Sequence, residues 1–132
     1  MVANLGRLDI LVNNAGVQRT GPAEHLSETD WDETMAINLK AVFFCAQAAA
    51  RHFLAEKQRG KIINITSNAA IVGFPNFAAY CASKGGVLQL TRALASEWAA
   101  HGININAVGT VAVVTEMMKE LLEDTELSLI HI

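Results

Sequence analysis

Apolar positions along the chain follow two alternating periods. "RLDILVNNAG" (7–16) is a short apolar run closing in Asn-Asn-Ala-Gly, the pattern of a buried strand ended by a turn. "SETDWDETMAINLKAVFFCAQAAARHFLAEKQ" (27–58) opens with Ser27 and Asp30 at capping-box-like spacing and continues without Gly or Pro. It predicts one long helix or two short ones in line. "GKIINITS" (60–67) is β-branched and bounded by Gly60, which predicts a second buried strand. Residues 77–101 predict a second long helix, with Val87, Leu90, Leu94 and Trp98 on one face, stopping at His101-Gly102. "INAV" (105–108) predicts a third strand and "TEMMKELLED" (115–124) a third helix.

Strands alternating with helices indicate a parallel sheet joined by crossovers, the doubly wound α/β class. Three strands with flanking helices are half of that Rossmann-like architecture, which normally carries about six in two halves. The first long helix is apolar nearly all round from Ala36 to Ala50, with Ile37, Leu39, Val42, Phe43, Phe44 and Ala46 spread over its faces. A helix lying on a sheet needs one apolar stripe only. The surplus predicts a homo-oligomer that covers the outer side.

Composition narrows the partners. The 132 residues are 52% hydrophobic and 17% charged with a net charge of −3, a globular and core-rich balance. No basic cluster rises above scattered single residues, so neither nucleic acid nor an anionic membrane is an expected partner. Cys45 and Cys81 lack metal-ligand spacing and read as buried, reduced thiols of a cytoplasmic protein. The histidines at 25, 52, 101 and 131 are isolated from one another, and no metal site is expected. No apolar stretch reaches the roughly 18 residues that span a bilayer.

Against that background one constellation carries chemistry. In "AAYCASKGGVLQL" (78–90), Tyr80 and Lys84 lie one helical turn apart and share a face. A neighbouring ammonium favours the phenolate and makes a phenol usable as a general acid–base. Tyr-x-x-x-Lys alone is a weak signal. Thirteen residues earlier, Ser67 ends the second strand, at the edge where open α/β sheets bind their ligands. The Asn-Asn-Ala-Gly turn closes the preceding strand at that same edge, and Asn38 lies inside the first helix. Each has a structural reading as well: Ser67 as a strand-end cap, Asn38 as a mid-helix perturbation, the turn as plain turn chemistry. Gathered at one carboxyl edge, Ser67, Tyr80 and Lys84 form a site for proton transfer to a carbonyl oxygen.

These residues resemble the short-chain dehydrogenases/reductases. "GRLDILVNNAG", the Asn of "INLKAVFF", "GKIINITS", "YCASKGG" and "ININAV" match that family's motifs in order, over residues 6 to about 125. The resemblance implies an NAD- or NADP-dependent oxidoreductase that moves a hydride between nicotinamide and an alcohol or ketone. It further implies that Tyr80 exchanges the proton with the substrate oxygen and Ser67 polarises that oxygen. Lys84 would lower the Tyr80 pKa and hold the nicotinamide ribose, while Asn38 would anchor a water between Lys84 and solvent. Asn13, Ala15 and Gly16 would line the adenosine and ribose side of the cofactor, and Val113 and Thr115 its carboxamide. Gln18 and Arg19 hint at a polar or anionic substrate, and Arg19 reads equally as a solvated loop residue. The overall pattern resembles the sugar-acid dehydrogenases, with 3-oxoacyl reductases as second choice.

The chain departs from the family pattern in three places. The glycine-rich phosphate loop is missing, since no Gly-x-Gly occurs anywhere. Thr110-Val111 stands where the family has Pro-Gly. "LSLIHI" (127–132) matches nothing in the family and looks like the translation of a transposon end used in sequencing libraries, with a β-prone native tail as the alternative. Residues 1–126 are therefore expected to be an incomplete C-terminal half of the domain, 127–132 a non-native tail, and Met1 an internal methionine. The alternative reading is a truncated fragment without activity, or a non-catalytic module of the same fold that senses a ligand or oligomerises.

Overall fold

The computed structural model describes residues 6–111. The expected helix at 115–124, Val113, Thr115 and the tail at 127–132 lie outside the described residues.

Three parallel strands form one sheet in the order β1-β2-β3: β1 Ile10–Asn13, β2 Gly60–Ser67 and β3 Ile103–Thr110. β2 takes the bounds expected of it. β1 is shorter than its apolar run, and β3 begins two residues earlier and ends two later than "INAV". The register sets Leu11 beside Ile62 and Ile62 beside Ile105, so one row of apolar side chains crosses all three strands.

Between β1 and β2 the long helical stretch is built in three pieces. Helix α1 spans Glu28–Met35, and helix α2 spans Ala41–Ala55. Residues Ala36–Lys40 between them form a wider turn of π type. At the start, the Ser27 hydroxyl accepts a hydrogen bond from the Asp30 N–H at 3.0 Å, the capping that the spacing predicts. Helix α3 spans Ala78–Trp98 and runs through a tight turn to Gly102, whose φ of 73° is the left-handed helix stop.

Both long helices pack on the same face of the sheet. Ala46, Ala49, Ala50 and Phe53 of α2 and Leu94 of α3 meet Ile62, Ile103 and Ile105 of the strands in one buried cluster. Gly60 is needed there, because a Cβ at that position would lie 2.3 Å from the Phe53 ring. Of the stripe expected on α3, Val87 and Leu94 are buried while Leu90 and Trp98 are covered in part. The excess of apolar residues on the preceding helix is divided: Val42 and Ala46 face inward, while Phe44 and Leu54 are left 52% and 40% exposed. Cys45 on the same helix is exposed and Cys81 half-buried, so neither is the buried thiol expected, because both lie off the sheet-facing stripes.

Candidate active site

The carboxyl ends of the strands collect the chemistry. β2 delivers Ser67 to the rim, and a short 3-10 turn at Asn68–Ala70 follows at once. The Ser67 hydroxyl donates to Asn68 Oδ1 at 3.0 Å and accepts from the Ala69 N–H at 3.2 Å, so it caps that turn as well as facing the site. A cavity of about 200 Å³ opens beside it, lined by Thr66, Ser67, Ile71, Leu88 and Gly109 among others.

Tyr80 sits in the first turn of α3, where the helix dipole favours developing negative charge on a phenolate. One turn further in, Lys84 is 5% exposed, and its ammonium lies 5.6 Å from the centre of the Tyr80 ring. The end of β2 fixes Lys84 at two points: Lys84 Nζ donates to the Ile65 carbonyl at 3.0 Å, and Thr66 Oγ1 donates to the Lys84 carbonyl at 3.1 Å. Burial pushes the Lys84 amine below its ordinary value. Burial likewise pushes the Tyr80 phenol above its ordinary value, with the neighbouring Ser67 hydroxyl acting in the opposite direction.

The Lys84 ammonium expected to lower the Tyr80 pKa stands over the face of the ring, and desolvation of the phenol is the largest influence on it.

Asn38 is buried completely, in the middle of the π turn. Its carboxamide clamps the loop after β1 from both sides: Oδ1 accepts from the Val17 N–H at 2.8 Å, and Nδ2 donates to the Val17 carbonyl at 2.8 Å. Gly16, one residue earlier, is closely packed, and a side chain there would press on the Asn38 carboxamide. A Cβ there would lie 3.3 Å from Asn38 Oδ1 and 3.6 Å from Lys84 Nζ. Asn38, Lys84 and Gly16 therefore converge although 68 residues of sequence separate the outer two.

Asn13 points elsewhere. It shares the strand parity of Leu11, and its amide turns to the helix-covered face, where Nδ2 donates to Asn64 Oδ1 at 2.9 Å. Asn64 Nδ2 in turn donates to Thr91 Oγ1 at 2.9 Å, and Thr91 Oγ1 to the Val87 carbonyl at 2.8 Å. The side chain of Asn13 thus braces β1 against β2 and α3, leaving backbone around Asn14 and Ala15 at the rim. Arg19 is also engaged: Nε donates to Glu33 at 2.8 Å and lies 3.8 Å from Asp30, and its pKa rises through the bond to Glu33. Of the pair expected to meet a polar substrate, Gln18 alone keeps a buried amide nitrogen, Nε2, without a partner among the described residues.

Three contributors escaped the sequence reading: Asn64, Thr91 and Ser83, all buried polar side chains. Asn64 had a signal, since an amide amid β-branched residues on the parity of Ile62 must find a partner inside.

The parallel sheet, the helix pair on one face and the polar rim define a protein of the doubly wound α/β class. The model of the short chain dehydrogenase family matches residues 1–126, and the chain belongs to that family. It is 47% identical over 127 residues to the 2-dehydro-3-deoxy-D-gluconate 5-dehydrogenase of Escherichia coli K12, covering 96% of this chain and 50% of that enzyme. Identity to the gluconate 5-dehydrogenase of Gluconobacter oxydans is 45%, covering 93% of this chain and 48% of the relative. Among solved structures, a gluconate 5-dehydrogenase from Burkholderia cenocepacia in complex with NADP and tartrate superposes with a TM-score of 0.91 at 42% identity, over 96% of this chain and 49% of the other. The chain spans about half the length of the curated relatives it matches.

Proposed function

We propose that the chain carries the proton-transfer half of an NAD- or NADP-dependent dehydrogenase that interconverts an alcohol and a ketone on a sugar-acid-like substrate. The observation that bears most weight is the meeting of Tyr80, Lys84 and Ser67 at the carboxyl edge of the sheet, with Lys84 Nζ 5.6 Å from the Tyr80 ring centre. Relatives that act on gluconate derivatives, and the tartrate held by the Burkholderia structure, support a polyhydroxy-acid substrate.

The residues present fit a nicotinamide cofactor. An ammonium has three donors, and among the described residues Lys84 Nζ makes one protein hydrogen bond, to the Ile65 carbonyl. Two donors remain for ribose hydroxyls. Gly16, beside that ammonium, leaves the loop surface bare for close approach. A bound nicotinamide supplies or accepts the hydride. Val113 and Thr115 would contact its carboxamide, and the backbone of Asn13, Ala15 and Gly16 its ribose side.

In the reductive direction the Tyr80 hydroxyl gives its proton to the substrate carbonyl oxygen, and Ser67 donates a hydrogen bond to the same oxygen. The raised Tyr80 pKa keeps that proton in place at neutral pH. In the oxidative direction Tyr80 must first lose it, so oxidation speeds up as pH rises. The exposed Phe44 and Leu54 on α2 favour a homo-oligomer, dimer or tetramer, in which a second copy covers them. No helix among the described residues is long and apolar enough to cross a membrane. A cytoplasmic location is part of the same proposal.

Tyr80→Phe in a full-length protein tests the assignment. It should lower kcat by about 10² or more while cofactor Kd stays unchanged, the scale of a lost general acid. Near-normal turnover would overturn it.

A further inference from the structure

Ser83 lies between Tyr80 and Lys84 in sequence but on the inner side of α3, and it is completely buried. Its hydroxyl works in both senses. It donates to the Tyr80 main-chain carbonyl at 2.8 Å and accepts from Asn38 Nδ2 at 3.1 Å. With that bond, both protons of the Asn38 amide are used, one on the Val17 carbonyl and one on Ser83, while Asn38 Oδ1 takes the Val17 N–H. One continuous chain of hydrogen bonds therefore runs from the first turn of α3, through the π turn, into the loop that follows Gly16.

We infer that Ser83 is a positioning residue that locks the Gly16–Val17 loop and the Asn38 turn to the helix bearing Tyr80 and Lys84. A carboxamide clamping a backbone on both sides still needs an acceptor for its second amide proton. Only a group that also donates can sit against the Tyr80 carbonyl on its other side. A hydroxyl does both, a methyl neither, and a carboxylate would meet the Tyr80 carbonyl lone pairs with its own. Removal of the hydroxyl leaves a buried amide proton with nothing to bond and frees one side of the Asn38 carboxamide, so the clamp on Val17 is held less firmly. Because Asn38 Oδ1 and Lys84 Nζ both stand against Gly16, a looser clamp changes where the loop meets the ammonium. The link acts through Asn38 and Tyr80, and Ser83 itself touches no reacting atom.

The inference rests on the proton-transfer role proposed above, but its first test does not. Hydrogen exchange in the full chain reads the Val17 amide directly, since that N–H is held by Asn38. Ser83→Ala should speed Val17 exchange by about tenfold, the scale of one hydrogen bond, with Ile63 and Ile105 of the central strands unchanged. Ser83→Thr, which keeps the hydroxyl, should preserve the Val17 protection. Unchanged Val17 exchange in Ser83→Ala, or a rise matched by the core amides, would overturn the link. In the full-length protein, Ser83→Ala should also lower kcat about tenfold with substrate KM held, and Ser83→Thr should keep it. Val17 exchange that rises while kcat stays constant would overturn the positioning role. An inactive wild-type protein would count against the proposed function, while the exchange result would still decide the link.

Discussion

The two faces of the sheet are made from the same kinds of residue and stand in opposite conditions. On one, Ile62, Ile103 and Ile105 are at most 6% exposed beneath α2 and α3, and the polar Asn64 is bonded on both sides. On the other, Ile10, Val12 and Val108 are 50%, 52% and 47% exposed, with Lys61, Asn104 and Asn106 around them. Neighbouring residues of one strand, such as Leu11 and Val12, differ only in parity. Over Ile10–Val12 β1 is apolar on both parities, the pattern of a strand covered on both sides. The open face is therefore a surface prepared for contact, whereas the covered face is a core already spent on internal packing.

The largest expected effect tests the covered side. Phe53, completely buried over Gly60, should lose about 3–5 kcal/mol of stability as Phe53→Ala, the usual cost of emptying an aromatic core site. A denaturant midpoint series would show it, and a change as small as that of a surface site would break the contrast between the faces.

The open side should answer differently. Ile10→Thr with Val12→Thr should alter stability by only about 0.5 kcal/mol per site, as surface substitutions do. The chain of 132 residues should self-associate through that face, and the double variant should shift toward monomer in sedimentation. An already monomeric parent chain would show that the open face is not adhesive.

The smallest effect concerns the rim between the two. Tyr80 is the chain's single tyrosine, so ultraviolet difference absorbance on titration reports its phenol alone. Burial penalises the phenolate, and the midpoint should lie above the ordinary value of about 10. The sign for stability follows. A folded-state pKa above the unfolded one means the native chain holds the proton more tightly. Its contribution is complete below the unfolded value and is lost as pH climbs through the folded one. A midpoint at or below the free-phenol value would mean that charge from Lys84 outweighs burial.

Much of this was legible in the chain. β2 announced both of its ends, Ser27 its cap and Gly102 its helix stop, because each is decided by local chemistry. The positions of Ser67, Tyr80 and Lys84 on one edge followed from spacing. What stayed hidden depended on partners far away in sequence. Asn13 was placed at the cofactor turn, but the bond of its amide to Asn64 spans 51 residues. Arg19 was read as meeting an anion or as a solvated loop residue, and its partners Glu33 and Asp30 lie on the next helix. Ser83 drew no reading, and its partner Asn38 lies 45 residues away.

The π turn at Ala36–Lys40 takes up length without turning the helix that follows. A π turn holds about one residue more than an α turn. The extra residue is absorbed in one wider turn, and Val42, Ala46, Ala49 and Phe53 face the sheet as they would after a regular α turn. Substitution at an exposed position such as Ala36 changes one side chain. Deleting that residue should close the wider turn into a regular one and keep Phe53 over Gly60, while the Asn38 carboxamide at the centre of the turn loses its place against Val17. In this stretch, the number of residues is as much a part of the site as their identity.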